Sequence, residues 1–135
     1  MSEENVRIVR LLVDAWNRQD LDAIIALVHP DGEYVNAPAA VEPGTRRGRA
    51  EVVAVMRRQW EVLSGALMEI DRIEDRGDEV ITVAHVSRRL PGSDTRITNP
   101  LLTSWRFRDG NLIRVEQLGG GANFQSALKA AGLSE

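Results

Sequence analysis

The chain has 135 residues, 43% hydrophobic and 27% charged, a balance that predicts one folded domain over residues 1–135 and excludes disorder along its whole length. It has no cysteine, which excludes disulfides, zinc–thiolate sites, iron–sulfur clusters and cysteine nucleophiles together. Seventeen basic against twenty acidic side chains give a net charge of −3, unlike the basic balance of a nucleic-acid binder, and no apolar run approaches the ~18 residues of a membrane span.

Val6, Val9, Val13 and Trp16, flanked by Ile8 and Leu12, recur at helical spacing over a polar back of Arg7, Arg10 and Asp14. They predict a first helix, with Ser2 as its N-cap and Glu3 and Glu4 favourable in its first turn. Asn17-Arg18-Gln19 breaks the pattern. Asp20 then caps a short second helix carrying Leu21, Ile24, Ile25 and Val28, which Pro30 closes. After the Asp31-Gly32 turn, Glu33 to Asn36 reads as a short strand. Ala37 to Arg47, with Pro38, Pro43 and Gly44, reads as a loop. A third helix starts near Gly48 or Arg49, carries Val52, Met56, Trp60 and Leu63, and ends at Ser64-Gly65.

From there the period is two. Met68 and Ile70 alternate with Glu69 and Asp71, and Ile73 breaks the phase in the manner of a bulge. Turns at Arg76-Gly77-Asp78, Leu90 to Asp94 and Asp109-Gly110 divide four strands in a meander. Val80 to Val86 is apolar on both faces, as in a covered strand. Ile97, Leu101, Trp105 and Phe107 share one face of the next strand, and Ile113 and Val115 continue that face on the last. Gly119-Gly120-Gly121 ends the sheet, Asn123 caps a final helix through Phe124, Ala127 and Leu128, and Gly132 follows it. The order predicts an α+β fold: a curved antiparallel sheet wrapped around three N-terminal helices, forming a cone with an internal pocket.

Alternation then selects polar residues on buried faces. Thr103 is in phase with Leu101 and Trp105, Gln117 with Ile113 and Val115, and His85 with Ile81 and Val83; Asn36 ends the first strand. Buried polar groups need partners, so these four either bond within the core or line a polar pocket. Trp16, Tyr34, Trp60 and Trp105 are candidate pocket walls or plain core. His85 is also the one candidate base near neutral pH. His29 and His85 are the only histidines and share no ligand spacing, so no metal centre is expected. The three glycines read as a hinge between sheet and helix. Arg46, Arg47, Arg49, Arg57 and Arg58 lack interleaved aromatics and read as a solvated helix face.

Ala15-Trp16-Asn17, Gln19-Asp20-Leu21-Asp22-Ala23, His29-Pro30-Asp31, Glu33-Tyr34, Arg47-Gly48-Arg49, Gly77-Asp78-Glu79-Val80, Arg108-Asp109-Gly110 and the closing Ala127 to Leu133 occur in this order. Together they resemble the SnoaL-like branch of the nuclear transport factor 2-like superfamily, which includes ketosteroid isomerases and limonene epoxide hydrolases. The resemblance implies the cone fold and a homodimer. It places Asn36 where ketosteroid isomerases carry a general-base aspartate, Leu12 at their oxyanion tyrosine and Thr103 at their second oxyanion donor. An amide cannot act as a carboxylate base, so that chemistry is not expected. The cyclases' acidic residue near the end of the last strand meets Gln117-Leu118, with Glu116 on the opposite face. Arg88 or Arg89 could stand for the epoxide hydrolases' arginine.

Three readings follow. The first is a protein that binds a small hydrophobic molecule in the cone, without a cofactor, through Trp16, Tyr34, Asn36, Trp60, His85, Thr103, Trp105 and Gln117. The second is an isomerase, cyclase or hydratase on such a molecule, and the third a non-catalytic dimeric scaffold. Neither nucleic acid nor membrane is expected as a partner. The absence of cysteine and of a signal-peptide layout fits a cytoplasmic location.

Overall fold

A computed structural model describes residues 2–36, 43–63 and 65–133. Helix α1 spans Ser2–Arg18, α2 Leu21–Leu27 and α3 Arg49–Val62. The strands are β1 (Val28–Asn36), β2 (Gly44–Arg47), β3 (Leu67–Asp75), β4 (Glu79–Arg89), β5 (Arg96–Arg108) and β6 (Asn111–Gly120). A short 3₁₀ turn, Gly121–Asn123, leads into α4, Phe124–Ala130. No described helix is long and apolar enough to cross a membrane.

The apolar stripe of α1 does what its period predicts: Ile8, Val9, Leu12, Val13 and Trp16 are buried. Gln19, at φ +57°, breaks the helix, and the Asp20 carboxylate accepts from the Ala23 N–H to start α2. That helix ends at Leu27, short of the expected Pro30, because Val28 is already extended and opens β1. The expected loop over Ala37–Arg47 falls partly outside the described residues, at 37–42, and its end forms β2, paired antiparallel with β1. The side chains of Ser2 and Ser64, expected as cap and terminator, also lie outside the described set.

The sheet has six strands in the order β2-β1-β6-β5-β4-β3. It is mixed rather than wholly antiparallel, since β1 runs parallel to β6. Helices α1–α3 cover one face with the main core, and α4 covers part of the other. That second layer packs Leu128 and Leu133 against Ile81 and Leu102. The first of the three glycines serves this packing. A Cβ on Gly119 would lie 2.5 Å from the Ala127 Cβ, so α4 rests directly on the strand backbone.

Bulges set which side chains face inward. The one expected before Ile73 falls between Ile70 and Arg72, and it returns Ile73 to the core, opposite Thr82. Two more lie on β6. One, between Leu112 and Arg114, buries Leu112 and takes Ile113 out of the core, against the alternation read from sequence. The other, between Gln117 and Gly119, keeps Gln117 opposite Thr103 and sends Leu118 to the α4 side.

Candidate functional site

The cone holds a cavity with two communicating lobes that share Trp16, Tyr34, Gln59, Met68 and Leu101 as walls. The inner lobe is a narrow apolar slot of about 30 Å³ between Leu12, Val13, Met56, Trp105 and Val115. The outer lobe is roomier, about 210 Å³, and opens past Val86, Arg88, Asn99, Pro100 and Gln117. The two together suit a compact ligand, below the usual ~300–1,000 Å³ of a drug-sized site.

Local folding explains how these walls are held. Asn17, where the helical pattern of α1 fails, accepts from the Met68 N–H at 2.7 Å and donates to the Met68 carbonyl at 2.8 Å. Its side-chain amide stands in for a strand neighbour and sets Met68 against the cavity. The Trp105 indole is anchored by donating to Thr82 Oγ1 at 2.9 Å in the buried sheet face.

A polar chain crosses the shared wall. The Trp16 indole N–H donates to Gln59 Oε1 at 3.0 Å, and Gln59 Nε2 donates to the Tyr34 hydroxyl at 2.7 Å. An indole can only donate, so it fixes the Gln59 amide with its oxygen toward Trp16 and its N–H₂ toward Tyr34. Gln117 Nε2 donates to the same hydroxyl at 3.0 Å. Tyr34 thus accepts twice, and its own proton has no acceptor among the described residues. The phenol is 6% exposed, and burial raises its pKa above the usual tyrosine value, so it stays protonated at neutral pH.

Of the residues singled out in the sequence, Trp16, Tyr34, Thr103, Trp105 and Gln117 line the cavity. Trp60 stands behind the wall, its ring tilted against Trp16 with centroids 6.4 Å apart, and its buried Nε1 finds no partner among the described residues. Asn36 is buried at the end of β1, paired with Gly44, and is not a wall of either lobe. His85 corrects the inward assignment. It does share a face with Ile81 and Val83, but that is the α4 side of the sheet. There His85 Nδ1 meets Asp71 Oδ2 at 2.9 Å and Nε2 meets Glu69 Oε2 at 3.3 Å.

Sequence reasoning missed Gln59 and Asn99 as cavity residues. Gln59 sits between the stripe positions Met56 and Trp60 and has no periodic signal of its own. Among the described residues, the lining contains no carboxylate and no imidazole; Arg88 is its one charged side chain. No group of His, Asp and Glu among the described residues could hold a metal ion.

A family model described as a SnoaL-like domain matches residues 9–115. No curated protein matches the chain. Among solved structures, the chain is similar to a hypothetical protein with a ketosteroid isomerase-like fold from Catenulispora acidiphila, in complex with trimethylamine. That match has 24% identity, covers 94% of this chain and 93% of the other, and has a TM-score of 0.71. TerC, co-crystallised with polyporic acid, is 23% identical over 93% of this chain and 98% of its own, with a TM-score of 0.77. An LEH-like epoxide hydrolase from M. tuberculosis is 21% identical over 85% of this chain and 81% of its own, with a TM-score of 0.70.

Proposed function

The chain belongs to the SnoaL-like domain family, and from that premise we propose that its cone binds a small hydrophobic molecule presenting a hydrogen-bond acceptor to Tyr34. The observation that carries this reading is the Tyr34 hydroxyl, which accepts from Gln59 and Gln117 and keeps its proton unengaged at the junction of the two lobes. A carbonyl or hydroxyl oxygen of a ligand would take that proton, while the apolar slot takes the hydrophobic body. Two proteins of the same fold hold small molecules, trimethylamine and polyporic acid, which supports the general use of the cone.

The acid/base set of ketosteroid isomerases is absent from this reading: the positions the resemblance assigns to it hold Leu12, Asn36 and Thr103. His85 is not offered as a base, since it faces the other side of the sheet. The reading includes the homodimer that the resemblance implies, which sedimentation measures.

A thermal-shift screen of small aromatic and terpenoid ketones, alcohols and acids tests it. Binders should raise the melting temperature of the wild type and not of Leu101→Trp, whose larger ring fills the wall common to both lobes. A screen without binders, or binders equally effective on Leu101→Trp, would overturn it.

An enzyme acting on the same class of molecule is the second reading. Its support is again the Tyr34 proton, which would polarise a bound carbonyl in a dry site. Chromatography with mass analysis of the ligand after incubation separates the two. A new product, shifted in retention or in mass, with wild type and none with Tyr34→Phe favours catalysis.

A further inference from the structure

Arg88 is half-buried on the cone side of β4, where its own strand places Val86 before it and β5 pairs it with Ile97. It lines the outer lobe beside Asn99, which lies opposite Val86. Among the described residues Arg88 has neither a hydrogen-bond nor an ion-pair partner, whereas six of the other eight arginines on the strands have one, and of the three that lack one only Arg88 lines the cavity. Arg72, Arg106 and Arg114 pair with carboxylates, and Arg96 donates to the Gly65 and Ser87 carbonyls. No carboxylate lines the lobe to neutralise it. A guanidinium left unpaired in a partly desolvated mouth is an anion site in waiting, because its fork matches a carboxylate and the low surrounding dielectric strengthens the pair. Arg89 and Arg96, paired across the same strand ends on the outer face, add positive potential around the opening.

We propose that the ligand is an amphipathic anion: a carboxylate or comparable oxyanion held by Arg88, with the Asn99 amide beside it, and an apolar ring system directed into the cone. The proposal rests on the cavity reading above and adds the charge of the ligand. It uses Arg88 for recognition, not for activating water, since the lining supplies no carboxylate partner for that chemistry.

The test compares 2-naphthoate with 2-naphthamide, which share one ring system and differ in charge. Calorimetry on the full chain should give a Kd about tenfold lower for the acid, the scale of one added charge-assisted hydrogen bond. Arg88→Gln should erase that preference, bringing the Kd values of the acid and the amide to within about twofold of each other. Arg88→Lys, which keeps the charge, should recover part of it and guards against a folding defect in the Gln variant. Equal affinities for acid and amide in the wild type, or a preference that survives Arg88→Gln, would overturn the anion proposal and leave the cavity reading standing. If neither compound binds, or both bind Leu101→Trp as well as wild type, the cavity reading fails and the proposal falls with it.

Discussion

Gln59 Nε2 donates to the Tyr34 hydroxyl across 2.7 Å, and the Trp16 indole dictates the direction of that bond. Trp16 has only a proton to give, so Gln59 must turn its oxygen to the helix and its N–H₂ to the strand. Three elements, α1, α3 and β1, are tied through one amide, and the tie leaves the phenol proton available in the cavity.

Removing the hydroxyl should therefore cost stability as well as ligand affinity. In Tyr34→Phe the donors of Gln59 and Gln117 lose their shared acceptor beside an apolar wall. We expect a loss of about 1–3 kcal/mol in urea unfolding. Gln59→Leu should cost a similar amount, since it strands both the Trp16 indole and Tyr34. A stability for Tyr34→Phe equal to wild type would mean the hydroxyl is not the acceptor of these bonds.

Tyr34 is the chain's only tyrosine, so its ionisation can be followed alone by near-ultraviolet absorbance. Burial raises its pKa, and the bonds from Gln59 and Gln117 offset that only in part. The native phenol should ionise above the ordinary value of about 10. The sign for stability follows. The contribution is complete below the unfolded pKa of about 10 and is lost as pH rises through the higher folded value. An ordinary titration in the native protein would contradict the burial of the phenol.

Thr82 and Trp105 form a second buried pair. Thr82→Val keeps the shape and removes the acceptor, leaving the indole N–H without a partner. The expected cost is about 1–3 kcal/mol, with most of it absent in Thr82→Ser. Comparable stabilities for the Val and Ser variants would show that the bond contributes little.

His85 carries a pH dependence on the opposite face. The hydrogen bond to Asp71 raises its pKa above the usual value, and the charges of Asp71 and Glu69 act in the same direction. The stabilisation is fully present below about 6.5, the unfolded value, and is lost as pH rises through the raised folded value. The pair is partly exposed, so the effect should be at most about 1 kcal/mol and weaken with salt. NMR titration of His85 should give a lower pKa in Asp71→Asn. Because the site is remote, ligand binding should not follow this titration.

Much of this architecture is legible in the chain itself. The period of α1 gives Ile8, Val9, Leu12 and Trp16 their burial, and the alternation of β5 gives Leu101, Thr103 and Trp105 one face. The break before Ile73 is readable because two in-phase apolar residues precede it. His85 misleads for a physical reason. Its strand is apolar on both faces, so alternation separates the faces without saying which one the cone covers; α4 covers the other. The β6 bulge at Ile113 is silent for a related reason, since Leu112 and Ile113 are equally apolar and the extra residue leaves no mark in the pattern. The parallel pairing of β1 with β6 links segments too distant for any local signal.

Occupancy of the cone is measured most directly by native mass spectrometry of protein purified gently from its source host. The wild-type chain should carry a reproducible small mass excess, diminished in Tyr34→Phe and absent from Leu101→Trp. A wild-type mass equal to that of the bare chain, or an excess retained in full by Leu101→Trp, would contradict it.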